Sequence, residues 1–443
     1  MDLVQLAHVF GCLMKKDSWY ACPLASDPYI IPKSEYDHVV SIQFTIQKLK
    51  SLLINKEEFL IELQALNDDF VTSLLACRKL KKIEFGIIRS DYISDGSNLK
   101  NVETNCIASS FGYLSSQIAK IHQIVNSESE IVPNKCILPE SLNAACDLYN
   151  EECTQTSPSV FRLLQHADTV PSSKCILMIV QPNESNISDQ IGLSDGLKYP
   201  MFRITFDQVF DLKIHNSTLV YGNFKVAVIY YRAGYTPNDY PTNKQFDARR
   251  ILEHSNAINC PSISLQLMGL KKIQQLTSNK QSLSSFLSPT EVDQLLPSFM
   301  GLYTMDQATE QGKLAYDTLI TNPDKYVLKP QREGGSNNYY GQDILTHLNT
   351  LSKDEYKKYI LMEKISSPSQ QNTLTRFQNG HYAKLKGSCI SEIGIYGYFI
   401  MDNGILRENK VSGYLTRTKL IGTNEGGVAS GYSYLNALQF GDV

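Results

Sequence analysis

Two runs of consecutive apolar residues constrain this chain most. KCILMIVQ (174–181) and KVAVIYY (225–231) carry apolar side chains at successive positions rather than at every second one. A strand tolerates that pattern when both of its faces are covered, so each run reads as a strand buried in a core. DARRILEHSNAI (247–258) follows as a helix. Region 172–272 is therefore expected to be a compact α/β module set into a longer chain. Ser-rich and Gln-rich sequence at 274–289 leads back out.

Elsewhere the pattern is mixed. Residues 39–80 read as helices, with Phe59, Leu60, Leu63, Leu66, Phe70, Val71, Leu74 and Leu75 recurring at helical spacing. FGII (85–88) and KNVETN (100–105) read as strands around a turn at Asp95-Gly96. Residues 113–126 read as a helix. The polar stretch 127–171, broken by prolines, reads as a connector with little regular structure. YVLK (326–329) is a strand running into a Gly-rich loop, and YILMEK (359–364) is another strand. ISEIGIYGYFIMDNGILRENK holds a hairpin turning at Asn403-Gly404. A chain of 443 residues exceeds what one core normally holds, so two or three domains are expected.

Several classes of function are disfavoured. A formal net charge of −3 gives no electrostatic case for nucleic acid, which is held through its phosphates. No apolar run is long enough to span a bilayer, so no membrane association is expected. Asp2 precedes the short apolar stretch at the N-terminus, where a secretory leader carries basic residues. The cysteines show neither C-x-x-C spacing nor a nearby His at ligand spacing, so zinc is unsupported and reduced thiols are expected.

Three constellations could carry chemistry. In KPQREGGSNNYYG (329–341) a strand ends at Lys329 and a loop carries Glu333, Gly334, Gly335, Asn337 and Asn338. Glycines let backbone N–H groups approach a phosphate, and a lysine supplies the counter-charge. The spacing matches neither the P-loop nor the dinucleotide fingerprint, so an ordinary surface turn stays open here. The second constellation is a set of polar pairs two residues apart, which share one face of a strand. They are Glu103 with Asn105, Glu184 with Asn186 and nearby Gln190, and Arg417 with Lys419. Glu103 and Asn105 both offer oxygens, which suit Mg²⁺; the plainer reading of each pair is the solvated face of an amphipathic strand. The third, TNEGGVASGY (423–432), is either a loop that closes over a small substrate or a simple connector.

In their order along the chain these segments resemble the eukaryotic glutathione synthetase family of ATP-grasp ligases. The resemblance is carried by RSDY (89–92), ETNCIASSFG (103–112), ESNISDQ (184–190), YRAGYTP (231–237), DARRILEHSNAINCP (247–261) and GLKKIQQ (269–275). It continues through VLKPQREGGSNNYYG (327–341), LMEKI (361–365), SEIGIYG (391–397), and GYLTRTK with EGGVASGY (413–432). It implies an α+β / α/β fold with an ATP-grasp main body from residues 1–171 and 273–443. It also implies a lid at about 303–388 and an inserted small α/β substrate-binding domain at 172–272. A cytoplasmic homodimer is implied as well.

The implied reaction is the ATP-dependent ligation of γ-glutamylcysteine and glycine to glutathione. It runs through an acyl phosphate, releases ADP and phosphate, and uses Mg²⁺. Glu103, Asn105 and Glu333 match the family's Mg²⁺ ligands. Lys271 and Lys329 match lysines on the ATP phosphates, and Asn338 and Tyr340 match the loop over the nucleotide. Met362, Glu363 and Ile365 fall at the adenine, Glu392 at the ribose, and Lys419 and Glu425 at further nucleotide contacts. Arg89, Ser110, Glu184, Asn186, Gln190, Arg232, Tyr235 and Arg417 match positions that bind the dipeptide or product. Val428 and Ala429 match the loop over the glycine end. Arg89, Arg417, Lys329, Gly334 and Gly335 are the candidates for the phosphoryl-transfer step.

The chain departs from the family at three points: Ser336 for a glycine, Ser430 for an alanine, and Ala108 for a serine. Ala429 favours glycine as the acceptor, while Ser430 keeps a homoglutathione-type ligase using β-alanine as the alternative. A non-catalytic nucleotide-binding protein of the same fold is a remoter one.

Overall fold

Ile83–Ser94 divides its side chains between two cores. Phe85 and Ile87 are buried in one, Ile88 and Tyr92 in the other, because successive residues of a strand point to opposite faces. The computed structural model describes residues 2–150, 158–334, 337–424 and 426–441. In it this strand belongs to a seven-stranded sheet. The order is Gln370–Gln378, Leu24–Ala25, Tyr434–Asn436, Ile405–Leu420, His381–Asp402, Ile83–Ser94 and Leu99–Asn105. Gln370–Gln378 also pairs with His381–Asp402, which closes that half of the sheet into a ring. The helices Lys33–Leu53 and Gly112–Val125 pack on this sheet.

The two apolar runs lie where their pattern demands. Lys174–Ile179 pairs in parallel with Met201–Ile204 on one side and Phe224–Tyr231 on the other. Its side chains alternate between the two largest cores: Cys175, Leu177 and Ile179 in one, Ile176 and Met178 in the other. Both faces are therefore apolar. Phe224–Tyr231 pairs in parallel with Ile258–Cys260, and Thr218–Tyr221, Lys213–His215 and Gln165–His166 complete a second seven-stranded sheet.

Two sequence-based expectations are corrected here. The helix expected over 247–258 runs Asn243–His254, started by a Thr242–Gln245 capping box, and Ile258–Cys260 is a strand. The stretch 127–171, expected as a connector, holds the helix Leu138–Leu148, with Leu138, Leu142, Ala145 and Cys146 buried. Pro139 sits in its first turn, where a missing N–H costs no helical hydrogen bond.

A third sheet has four antiparallel strands, ordered Leu302–Thr304, Tyr359–Glu363, Tyr326–Pro330 and Tyr339–Tyr340. Helices Glu310–Thr321 and Gln342–Leu348 join it in a separate small core that includes Leu319, Leu328, Ile344 and Leu361. Within the range 303–388, Gln370–Gln378 and the start of His381–Asp402 pair in the first sheet instead. The described cysteines are all free. No helix among the described residues is long and apolar enough to cross a membrane.

Candidate active site

Beyond Phe85 and Ile87, the same face of Ile83–Ser94 presents Arg89 and Asp91. Register extends this face sideways. Arg89 stands opposite Asn105 and Asp91 opposite Glu103. On the other side, Asp91 faces Gly394, and Glu392 on that strand faces Arg417. Lys419 lies two residues further along. Four adjacent strands thus present acids, amides and cations in one row.

The row forms one wall of a cavity of about 560 Å³. The four-stranded sheet supplies a second wall with Lys329, Met362 and Glu363, and Ile365 follows it. The α/β module supplies Glu184, Asn186, Arg232 and Tyr235. Strand Tyr339–Tyr340 adds Tyr340, and the loops contribute Ser110, Glu333, Gly334, Asn338, Val428 and Ala429. With Arg89, Glu103, Asn105, Glu392, Arg417 and Lys419 on the sheet, nearly all the residues expected at the site meet here.

Three sets of expected residues stand otherwise. Lys271 does not line the cavity, but its Nζ lies 3.2 Å from Glu103 Oε2 and 3.1 Å from Glu333 Oε1, both of which do. Gln190 is fully buried off the cavity, and its Oε1 accepts a hydrogen bond from Arg203 Nε at 2.8 Å. Gly335 and Glu425 lie outside the described residues.

Burial and ion pairing compete throughout the site. Burial opposes the charge on Lys271, but Glu333 and Glu103 hold its ammonium above the usual lysine range. Burial pulls Lys329 down to about 8, with Glu103 opposing and Lys271 adding to the shift; its Nζ donates to Val102 O at 2.8 Å. Burial would raise Glu103, yet Lys271, Lys329, Arg417 and Arg89 hold its carboxyl far below the usual range. Glu333 is pushed up by burial, against the pull of Lys271.

One ammonium bridging Glu103 and Glu333 means that the two carboxylates come close enough to share a cation. With the Asn105 amide oxygen they form a hard-oxygen donor set of the kind Mg²⁺ prefers. Glu103 also gathers with Asp91 and Glu392, with ligand oxygens within 4.8 Å of one another.

Sequence reasoning missed two buried carboxylates. Asp91 accepts from Arg89 Nε at 2.6 Å and Nη2 at 2.8 Å, and from Arg417 Nη2 at 3.0 Å. Its signal was the two-residue spacing from Arg89 within RSDY. Asp189 accepts from the N–H groups of Phe111, Tyr113 and Leu114 at 2.8, 3.1 and 3.2 Å, at the start of helix Gly112–Val125. It also pairs with Arg232 Nη1 at 3.1 Å. Its partners lie far away in sequence, so local spacing carried no signal for it.

Strand Tyr339–Tyr340 and the loop after Lys419 touch. Tyr340 Oη donates to Asn424 O at 3.1 Å, and Lys419 Nζ donates to the same oxygen at 3.0 Å. Gly334 has φ +96°, and a Cβ there would stand 2.9 Å from the Tyr235 ring. Only glycine adopts that backbone and allows that approach without strain.

A β-sheet body facing a smaller sheet across a phosphate-compatible cavity defines the ATP-grasp class. The family model described as eukaryotic glutathione synthase, ATP binding domain, matches residues 7–439. The chain is 31% identical over 465 residues to the glutathione synthetase large chain of Schizosaccharomyces pombe, covering 95% of this chain and 91% of that one. It is 33% identical over 438 residues to the glutathione synthetase of Homo sapiens, covering 94% and 89%. A solved glutathione synthetase-like effector from Globodera pallida shares the fold, with a TM-score of 0.76 across 99% of this chain and 96% of that one, at 19% identity. The chain belongs to the eukaryotic glutathione synthase family.

Proposed function

We propose that this protein joins γ-glutamylcysteine to glycine at the cost of ATP, forming glutathione, ADP and phosphate. The observation that carries this reading is the meeting of Lys329, Glu103 and Glu333 at one cavity, with Lys271 from a third stretch of chain paired to both carboxylates. A carboxylate does not react with an amine at neutral pH. Here the dipeptide's cysteinyl carboxylate attacks the γ-phosphorus of ATP, the β–γ bridging bond breaks, and ADP leaves. Glycine's amine then attacks the acyl carbon, phosphate leaves, and the amine sheds its proton. Phosphoryl transfer asks mainly for positioning and neutralised charge.

Each group has a part in this scheme. Lys271, Lys329 and Lys419 offset phosphate charge. Glu103, Asn105 and Glu333 would hold Mg²⁺, which would supply further positive charge at the phosphates. Met362, Glu363 and Ile365 border the adenine, and Glu392 the ribose. Asn338 and Tyr340 belong to the cover over the nucleotide, Glu425 makes a further nucleotide contact, and Gly334 and Gly335 serve the phosphoryl-transfer step. Arg89 and Arg417 orient the reacting carboxylate and the transferred group. Ser110, Glu184, Asn186, Gln190, Arg232 and Tyr235 hold the dipeptide, and Val428 and Ala429 cover the glycine. The bond from Tyr340 to Asn424 supports joint closure of the two loops, which keeps water from a hydrolysable acyl phosphate.

The reading extends to the chain's organisation. The 172–272 module serves as the substrate domain, the four-stranded sheet as the lid, and the remainder as the catalytic body. It also takes the protein as a cytoplasmic homodimer; light scattering and cell fractionation test those two points.

The central test is Lys329→Met. Phosphate release that requires both γ-glutamylcysteine and glycine should fall about 100- to 1,000-fold, with an unchanged circular dichroism spectrum. Near-normal turnover in this variant, or better turnover with β-alanine than with glycine in the parent, overturns the reading.

A further inference from the structure

Asp91 is fully buried, and four donors converge on its two oxygens. Arg89 binds it through two nitrogens, Arg417 Nη2 through one, and Asn105 Nδ2 at 3.0 Å through another. Asp91, Glu103 and Glu392 have the spacing of a metal cluster. The oxygens of Asp91 are already committed to two guanidinium groups and an amide, however, so a further cation gains little from them. Asp91 acts on its neighbours instead.

It does two things to them. It places a single negative charge between Arg89 and Arg417, which would otherwise repel one another on the same face. It also fixes the Asn105 amide. Nδ2 turns towards Asp91 Oδ2, Arg89 O and Glu103 Oε1, and an amide that spends its NH₂ on acceptors presents its oxygen on the other side. Among the described residues, none donates to Asn105 Oδ1. The backbone opposite makes room for this arrangement. A Cβ on Gly394 would stand 2.5 Å from Asp91 Oδ1 and 2.7 Å from Arg89 Cδ, so that position admits no side chain while the pair is in place.

We infer that Asp91, seated over Gly394, is a positioning residue. It aims the Asn105 amide oxygen at the cation and sets Arg89 and Arg417 at the spacing that the dipeptide carboxylate and the phosphoryl group require. The inference rests on the functional reading above, and the experiment separates the two.

Mn²⁺ binding in the presence of ADP, followed by calorimetry and electron paramagnetic resonance, serves as the probe alongside the KM for γ-glutamylcysteine. If the parent protein binds no Mn²⁺ with ADP, the functional reading falls. If it does, Asp91→Asn is expected to weaken Mn²⁺ about 10- to 100-fold and to raise the dipeptide KM, while ADP binding without metal stays unchanged. Asp91→Glu restores the charge and should recover part of both losses.

Gly394→Ala displaces the carboxylate without changing its charge and should reproduce both losses in a milder form. It also stands in for Asp91→Asn should that variant fail to fold. Mn²⁺ affinity and dipeptide KM within twofold of the parent in either folded variant overturn the inference.

Discussion

Two walls of the same cavity are built in opposite ways. The seven-stranded wall carries its polar groups on long neighbouring strands, and they are buried or half-buried and locked to one another: Arg89 and Arg417 on Asp91, Arg417 on Glu392, and Asn105 on Asp91. The four-stranded wall has short strands, its own small core, and a Gly-rich loop that reaches across to the module at Gly334. A reacting carboxylate needs fixed dipoles, which rigid, mutually hydrogen-bonded side chains supply. A nucleotide needs an entrance, which a separately cored element can open without disturbing the rest. Mutual hydrogen bonding and a separate core fall to different pieces of chain.

That contrast can be broken most forcefully through the cores. Leu328 in the small core of the four-stranded sheet and Ile393 in a core of the seven-stranded sheet are both fully buried. Truncating either to alanine should cost about 2–5 kcal/mol. Leu328→Ala should lower an early calorimetric transition alone, and Ile393→Ala a later one. A single transition displaced equally by both variants would show that the two sheets unfold as one unit.

The next effect belongs to the body. His122 lies on the helix that packs against the seven-stranded sheet, and burial holds its imidazole down at about 4. The folded state therefore favours the neutral ring. The stability this contributes is complete above about pH 6.5 and is lost as the pH falls towards 4, up to about 3 kcal/mol. Urea unfolding of His122→Gln should show a flatter pH dependence than the parent over that window, confined to the later transition. An identical pH dependence in both proteins removes the assignment.

The smallest effect sharpens the side of the four-stranded sheet. Gly334→Ala forces a left-handed backbone on an L-residue at about 1–2 kcal/mol and presses on Tyr235. The KM for ATP should rise about tenfold while thermal unfolding of the body stays put. A KM that does not move would mean that the loop binds nucleotide without this contact.

Part of this molecule was legible locally. The unbroken apolar run at 174–181 requires cover on both sides, and Lys174–Ile179 indeed feeds two cores at once. The turns at Asp95-Gly96 and Asn403-Gly404, the strand ending in Lys329, and the Glu103–Asn105 face were likewise readable, because each depends on residues a few positions apart. Helix Leu138–Leu148 was hidden by Pro139, which reads as a breaker unless its place in the first turn is known. Strand Ile258–Cys260 was hidden because three residues are too few to show a period of their own.

By itself the sequence determined the element types, the glycine-bearing loops and the family, since those follow from local periodicity, backbone permissiveness and ordered motifs. Tertiary structure alone decided which charge answers which. Lys271 meets Glu103 and Glu333 across long stretches of chain, Asp189 caps a helix that begins far before it, and Asp91 takes Arg417 from a strand that is not its neighbour. The reason is range: backbone periodicity is written over a few residues, whereas an ion pair depends on distance in space, and only the folded chain sets that distance.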